Sequence, residues 1–352
     1  MNIPVFFLTP DTRLHNHSVG KMKNNNSKPP KYLISTSEFG EYTGQTANDV
    51  ANFFGEKELV RLSGSRLGIP SQLAKVYLAL KEGVDYGFKV LAHINLKGGV
   101  GKTTSTISAA TRAVQYGFRT CILDMDSQGS ASLAFDMVPE DDDPIFFDVW
   151  QNPGEMVMGS LKKIQENLYI LPSSLDNGLL DVNLINPVSQ KNAVHGVCEE
   201  LKANGFDLIL IDCPPSLGTA VISTICAADI IVIPVCSDKF SFKGLKLTLN
   251  EIFSIHEAFN LEKPEIKILY TKFDRRLKIS TNAWNRLSSD YKEYLIPCPI
   301  RTSAEFSKSL EKKQTVFASS KKSKAKADYD SYVRYALKLK GHQNDRKARD
   351  KG

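Results

Sequence analysis

Lys97, Gly98, Gly99, Val100, Gly101, Lys102, Thr103 and Thr104 form the stretch of this 352-residue sequence with the plainest chemical meaning. It follows an apolar run, KVLAHIN at 89–95, and leads into a helix-patterned segment. Glycines without a Cβ let the backbone turn tightly and aim its N–H groups at phosphate oxygens. A helix that starts near Lys102 adds its positive end. The Lys102 ammonium suits the β- and γ-phosphates of a nucleotide, and the Thr103 hydroxyl suits a Mg²⁺ ion. Three acids stand where further apolar runs end. DMDSQG carries Asp124 and Asp126, and IDCPPS carries Asp212. Asp212 is placed as a metal ligand acting through water, with Asp124 as a further candidate. Neighbouring acids repel a polyphosphate unless a cation or a water proton intervenes. The plainer reading makes Asp124 and Asp126 caps and Asp212 a structural residue.

The general pattern G-x-x-x-x-G-K-[ST] requires glycine at position 96, where Leu96 stands; a second lysine, Lys97, follows it. KGGVGKT resembles the deviant Walker A loop of the ParA/MinD superfamily. DMDSQGSAS resembles its Walker A′ segment, and the resemblance covers roughly residues 89–320. It implies that residues 97–104 bind ATP with Mg²⁺ and that Lys97 reaches across a homodimer to the partner's nucleotide. Asp126 would orient the attacking water, which makes Lys97, Lys102 and Asp126 the catalytic set. Iron–sulfur relatives need paired cysteines, and the six cysteines here include no CxxC pair. MinD-like relatives end in an amphipathic membrane helix, whereas YVRYALKLK is brief and is followed by GHQNDRKARDKG.

The branch that remains is the ParA-type partition ATPases, in their larger class with an amino-terminal DNA-binding extension. That branch implies slow ATP hydrolysis stimulated by a ParB-like centromere-binding partner. It also implies ATP-dependent, nonspecific DNA binding and a cytoplasmic, nucleoid-associated location away from membranes. TKFDRR places Arg276 as a DNA contact, and IRTSAEFSKSLEKKQTVFA adds Arg301, Lys308, Lys312 and Lys313. Two rivals are a MinD-like positioning ATPase and a nucleotide-sensing DNA-binding repressor with little turnover.

The elements that must hold these residues follow from patterning. Hydrophobic content of 42% and charged content of 24% fit a soluble globular chain. No apolar run approaches the roughly 18–20 residues of a membrane helix. Candidate strands at 89–95, 119–126, 167–172, 206–212, 229–235 and 265–271 alternate with helical stretches. The runs are nearly all apolar, as strands buried on both faces of a parallel sheet are. The predicted fold is α/β, a doubly wound, mostly parallel sheet of the P-loop NTPase kind with a small helical amino-terminal domain. The expected divisions are an extended leader at 1–30, a helical region at 31–88, the ATPase domain at 89–340 and a basic tail at 341–352. Within 31–88, two helical patterns flank Gly68-Ile69-Pro70, with Ser71 as a cap and Leu67, Leu73, Val76 and Leu80 facing inward. This pair is either a DNA-binding helix-turn-helix, which would read operator DNA, or an α-hairpin docked on the body. Net charge is +6, and the stretch from Arg301 onward carries 15 basic against 6 acidic residues, which suggests a polyanionic partner.

Overall fold

The computed structural model describes residues 30–62, 64–237 and 239–339. The predicted leader, apart from Pro30, and the basic tail lie outside the described residues.

The amino-terminal region is mixed rather than helical. Strand β1 (Ile34–Ser35) leads into helices α1 (Thr36–Thr43) and α2 (Ala47–Phe54), and the hairpin β2 (Val60–Arg61) and β3 (Leu67–Ile69) precedes helix α3 (Ser71–Tyr77). The three strands form one small antiparallel sheet. The tight helix pair is therefore α1–α2, one element earlier than patterning predicted. Ser35 caps α1, and Thr46 with Asp49 forms a capping box on α2. Leu67–Ile69 is strand, and the Ser71 hydroxyl accepts from Asn167 instead of capping α3. Beyond Tyr77 the chain widens into a π-turn, Leu78–Glu82. Ala74, Tyr77 and Leu78 turn inward, while Val76 and Leu80 are exposed, contrary to the expected inward face.

This region is built into the body. Glu38 pairs with buried Lys326 at 2.7 Å, and Lys75 pairs with Asp207 at 2.6 Å. The Gln165 side chain exchanges two hydrogen bonds with the Tyr32 backbone. Gly117 sits at φ 93 where α3 passes, and a Cβ there would lie 2.6 Å from the Lys75 Cα. Tyr32, Ile34, Phe39 and Tyr77 share a core with Tyr116 and Phe118 of the body.

The body holds all six predicted strands. They are β4 (Lys89–His93), β5 (Thr120–Asp124), β7 (Leu168–Leu171), β8 (Leu208–Asp212), β9 (Ile230–Val235) and β10 (Glu265–Tyr270), with an unpredicted edge strand β6 (Lys162–Gln165). The order is β10-β9-β4-β8-β5-β7-β6, parallel throughout except for the antiparallel β6–β7 pair. β6 escaped prediction because KKIQ is polar and only partly buried, so it lacks the continuous apolar run of the inner strands. On one face Leu91, Ile122, Leu210 and Val232 pack in the core shared with helix α4 (Lys102–Gln115) and the amino-terminal region. On the other, Val90, Cys121, Ile209 and Ile231 pack with residues of the helices Pro187–Ala203, Thr219–Ala227 and Lys239–Ala258. The helix Lys324–Ala336 closes the first face beside α4 and is called αC below. Among the described residues no helix is long and apolar enough to cross a membrane. None of the six cysteines is joined in a disulfide.

Candidate functional site

The glycine-rich loop joins β4 to α4, at the carboxyl edge of the sheet. Gly99 and Gly101 lie at φ 71 and φ 96, in the left-handed region that glycine enters without strain. The loop is braced from below. Buried Asn95 donates to the Pro234 carbonyl (2.7 Å) and accepts from the Lys97 N–H (2.9 Å). Thr271, just past β10, places its hydroxyl 2.6 Å from the Val100 carbonyl. Lys102 is buried, and its ammonium donates to the Lys97 carbonyl at 3.1 Å. Burial pulls the Lys102 pKa below the ordinary lysine range, against the opposing pull of Asp212, Cys213 and Asp126. A desolvated ammonium beside exposed Gly98 and Gly99 is a strong point charge for a phosphate. Val100 is buried, and Lys97, Thr103 and Thr104 are half-buried on the same turn.

Strand register delivers the acids. His93 of β4 and Asp124 of β5 both stand opposite Asp212 of β8, so the three form a row on the face that α4 covers. Asp124 Oδ2 accepts from the Ser132 N–H (2.8 Å) and hydroxyl (2.7 Å), while its Oδ1 has no partner. Asp212 Oδ1 accepts from Thr106 and Oδ2 has no partner, while nearby Thr103 tempers the rise of the carboxyl's pKa. Burial, and then mutual repulsion, push Asp212 upward, and burial pushes Asp124 upward despite Ser132. Two buried acids, each with an orphaned oxygen and a threonine hydroxyl between loop and strand, are a donor set for a hard divalent cation that keeps water and phosphate ligands. Among the described residues no three His, Cys, Asp or Glu side chains form a closed metal cage. Asp126 is half-buried at the mouth, one oxygen accepting from the Gln128 N–H at 3.0 Å.

Patterning missed His93, Thr106, Asn95 and the αC residues behind them. The one available signal was a histidine inside an otherwise apolar strand. His93 is fully buried, and burial pushes its imidazole down to about 3, so the ring is neutral.

The basic residues predicted to meet DNA divide in two. Phe273 bridges Arg301 in parallel, which sets the Arg276 loop beside the Arg301 segment, with Lys308 on the following helix Ala304–Leu310. Arg276 is exposed and forks onto Asp274 at 2.9 and 2.7 Å. Arg301 is half-buried and forks onto Asp328, with Nε to Oδ2 at 2.8 Å. Lys308 and Lys312 are exposed, and Lys313 pairs with Asp136.

A parallel, doubly wound sheet carrying a phosphate loop between its first strand and a helix defines the class: a P-loop nucleotide-binding protein. A family model described as an AAA domain matches residues 88–268, just over half of the chain, and the chain belongs to that family. It is 28% identical over 240 residues to the cell division protein PomZ of Myxococcus xanthus, covering 68% of this chain and 75% of that protein. It is 28% identical over 193 residues to the chromosome partitioning protein ParA of Caulobacter vibrioides, covering 54% of this chain and 72% of that one. Its fold matches the ATP complex of a Cyanothece McdA variant with a TM-score of 0.63 at 18% identity, over 72% of this chain and 97% of that one. Within the family it is a ParA-type ATPase of the ParA/MinD superfamily.

Proposed function

We propose that this protein is a partition ATPase that binds ATP with Mg²⁺, dimerises face to face and then holds nonspecific DNA, with hydrolysis, stimulated by a ParB-like partner, releasing it. The observation that carries the reading is the braced phosphate loop with desolvated Lys102 above a register-matched pair of buried, half-orphaned acids. The loop amides and Lys102 hold the polyphosphate. Thr103 and Asp212 would hold the Mg²⁺ ion, Asp212 through water, with Asp124 behind them. When bound, Mg²⁺ neutralises charge on the phosphate oxygens and relieves the repulsion between the two acids. We assign Asp126 to orienting the attacking water and Lys97 to the partner's nucleotide.

An apolar crest supports self-association. Leu175, Leu179, Val182, Ile185 and Val188 are all exposed, up to 74% for Leu175. Asp181, within that crest, accepts from the N–H (2.7 Å) and hydroxyl (2.8 Å) of Thr219, past the loop that leaves Asp212. Pro215 of that loop lies against Gly98 of the phosphate loop. The crest is thus tied through Asp181 and Thr219 to the chain segment that passes the phosphate loop, and exposed apolar surface of this kind marks association sites. Operator reading by the amino-terminal region is not favoured. α2 and the turn after it present Asp49, Glu56 and Glu58 against Lys57, a poor match for phosphates.

The test is hydrolysis of ATP with and without Mg²⁺ and DNA, alongside DNA affinity in ATP and in ADP. The reading predicts slow Mg²⁺-dependent turnover and DNA binding in ATP alone. Equal DNA binding with both nucleotides contradicts the switch.

A further inference from the structure

Behind the nucleotide site runs a buried polar line that the phosphate-loop chemistry does not require. The Tyr332 hydroxyl of αC lies 2.7 Å from His93 Nε2. His93 Nδ1 lies 3.0 Å from the Thr106 hydroxyl of α4. The same hydroxyl lies 3.3 Å from Asp212 Oδ1 and 3.1 Å from the Lys102 carbonyl. All four side chains are fully buried, so each proton on this line must have a destination.

Burial and Asp124 raise Asp212 in the empty site, but once its carboxylate is ionised, as a bound cation would keep it, one order of protons satisfies every member. Thr106 has one proton and three neighbours, of which the carbonyl and an ionised carboxylate can only accept. If Thr106 donated to His93 Nδ1, Asp212 Oδ1 and the Lys102 carbonyl would both lose its proton. If instead His93 carries its proton on Nδ1 and donates to Thr106, the Thr106 proton is free for those two acceptors. The ionised carboxylate is the stronger of them. His93 Nε2 then accepts from the Tyr332 O–H. The line runs in one direction, Tyr332 to His93 to Thr106 to Asp212.

We infer that Tyr332, His93 and Thr106 are positioning residues that hold the Asp212 carboxylate with Oδ2 turned toward the nucleotide, so that the seating of αC is felt at the metal-binding acid. This rests on the assignment of Asp212 as the acid that holds Mg²⁺ through water. αC is well placed to transmit such a signal. The same helix carries Asp328, which grips Arg301, and Tyr329, whose hydroxyl lies 3.2 Å from Ser105 of α4. The Arg301 segment and the line that ends at Asp212 are thus anchored on one and the same helix.

Three variants separate hydrogen bonding from packing. Thr106→Val keeps the volume and removes the hydroxyl, Thr106→Ser keeps the hydroxyl, and Tyr332→Phe removes only the distal donor. The measurements are the Mg²⁺ dependence of ATP binding, the Mg²⁺ dependence of hydrolysis, and the His93 tautomer by ¹⁵N NMR of the full chain. We expect Thr106→Val to raise the half-saturating Mg²⁺ in both assays by roughly tenfold, the weight of one hydrogen bond to a charged group. Nucleotide affinity without Mg²⁺ stays near wild type, while thermal stability falls modestly because the buried His93 Nδ1–H loses its acceptor. Thr106→Ser restores the Mg²⁺ dependence, and Tyr332→Phe added to Thr106→Val causes no further loss. His93 is protonated on Nδ1. The inference is overturned by an Nε2-protonated His93, by Thr106→Val matching wild type, or by Thr106→Ser failing as badly as Thr106→Val. Absence of Mg²⁺-dependent hydrolysis in the wild type would sink the proposed function instead, and the binding and NMR arms would still decide the line.

Discussion

At the residue scale, the proposed nucleotide chemistry rests on Lys102, Asp126 and the pair Asp124 and Asp212. Lys102→Ala deletes the buried charge that faces the phosphates, and should weaken ATP binding by roughly 10²–10³-fold in a fluorescence titration. Binding within a few-fold of wild type would remove Lys102 from the site. Asp126→Ala behaves differently: ATP binding and dimerisation persist, and single-turnover hydrolysis falls at least a hundredfold. Wild-type turnover in that variant would mean that another acid holds the water. These residues were legible because their chemistry needs particular types at fixed spacing: glycines at φ 71 and φ 96, a lysine at the helix start, acids at strand ends. Asn95, His93 and Thr106 were not legible. Their roles come from strand register and from a helix packed across it, which no local spacing encodes.

At the scale of elements, six strands of the body were readable as apolar runs, while the amino-terminal region was misread by one element. GIP at 68–70 reads locally as a turn between helices, but pairing with β1 draws Leu67–Ile69 into a strand, so the helix pair moves to α1–α2. The docking of this region has a consequence for truncation. Removing residues 1–88 uncovers Tyr116 and Phe118 and breaks Glu38–Lys326 and Lys75–Asp207. At about 1.5–3 kcal/mol per large buried side chain, the loss approaches the stability of a domain. The truncated chain should be insoluble or melt far lower by circular dichroism; a melt within a few degrees of the full chain would show an independent body. αC supplies a second test through the buried pair Arg112–Asp330 at 2.6 Å. Burial alone would raise the Asp330 pKa, but Arg112 and Arg334 outweigh it and hold it below the usual range. A depressed carboxylate stabilises above its unfolded pKa of about 3.9 and loses that contribution as pH falls through its folded value. Asp330→Asn should therefore cost about 3–5 kcal/mol at pH 7, because Arg112 is left buried and unpaired. The gap from wild type should narrow below about pH 4 in urea unfolding. A gap independent of pH would show that Asp330 is not the stabilising charge.

At the scale of the whole molecule, the basic carboxyl-terminal stretch is less available than its composition suggests. Lys313, Lys322, Lys326 and Lys338 pair with Asp136, Glu41, Glu38 and Glu265, so part of that charge fastens the chain to itself. Composition counts charges, whereas pairing depends on which segments fold together. The face proposed to meet DNA is then the exposed Lys308 and Lys312 with the Arg276 loop, where Arg276 would have to exchange Asp274 for a phosphate. Arg276→Ala should flatten the slope of log K against log salt by about 0.9 without sequence preference; an unchanged slope moves the face elsewhere. Everything downstream depends on whether nucleotide joins two copies through the loop and the apolar crest. The decisive measurement is the solution mass by light scattering of Asp126→Ala, with Mg²⁺ and ATP or ADP, beside the same variant carrying Lys97→Ala or Ile185→Asp. The account predicts a dimer in ATP, a monomer in ADP, and a monomer in both nucleotides for either added change. A monomer in ATP, or a dimer that ignores the nucleotide and Lys97, would contradict it.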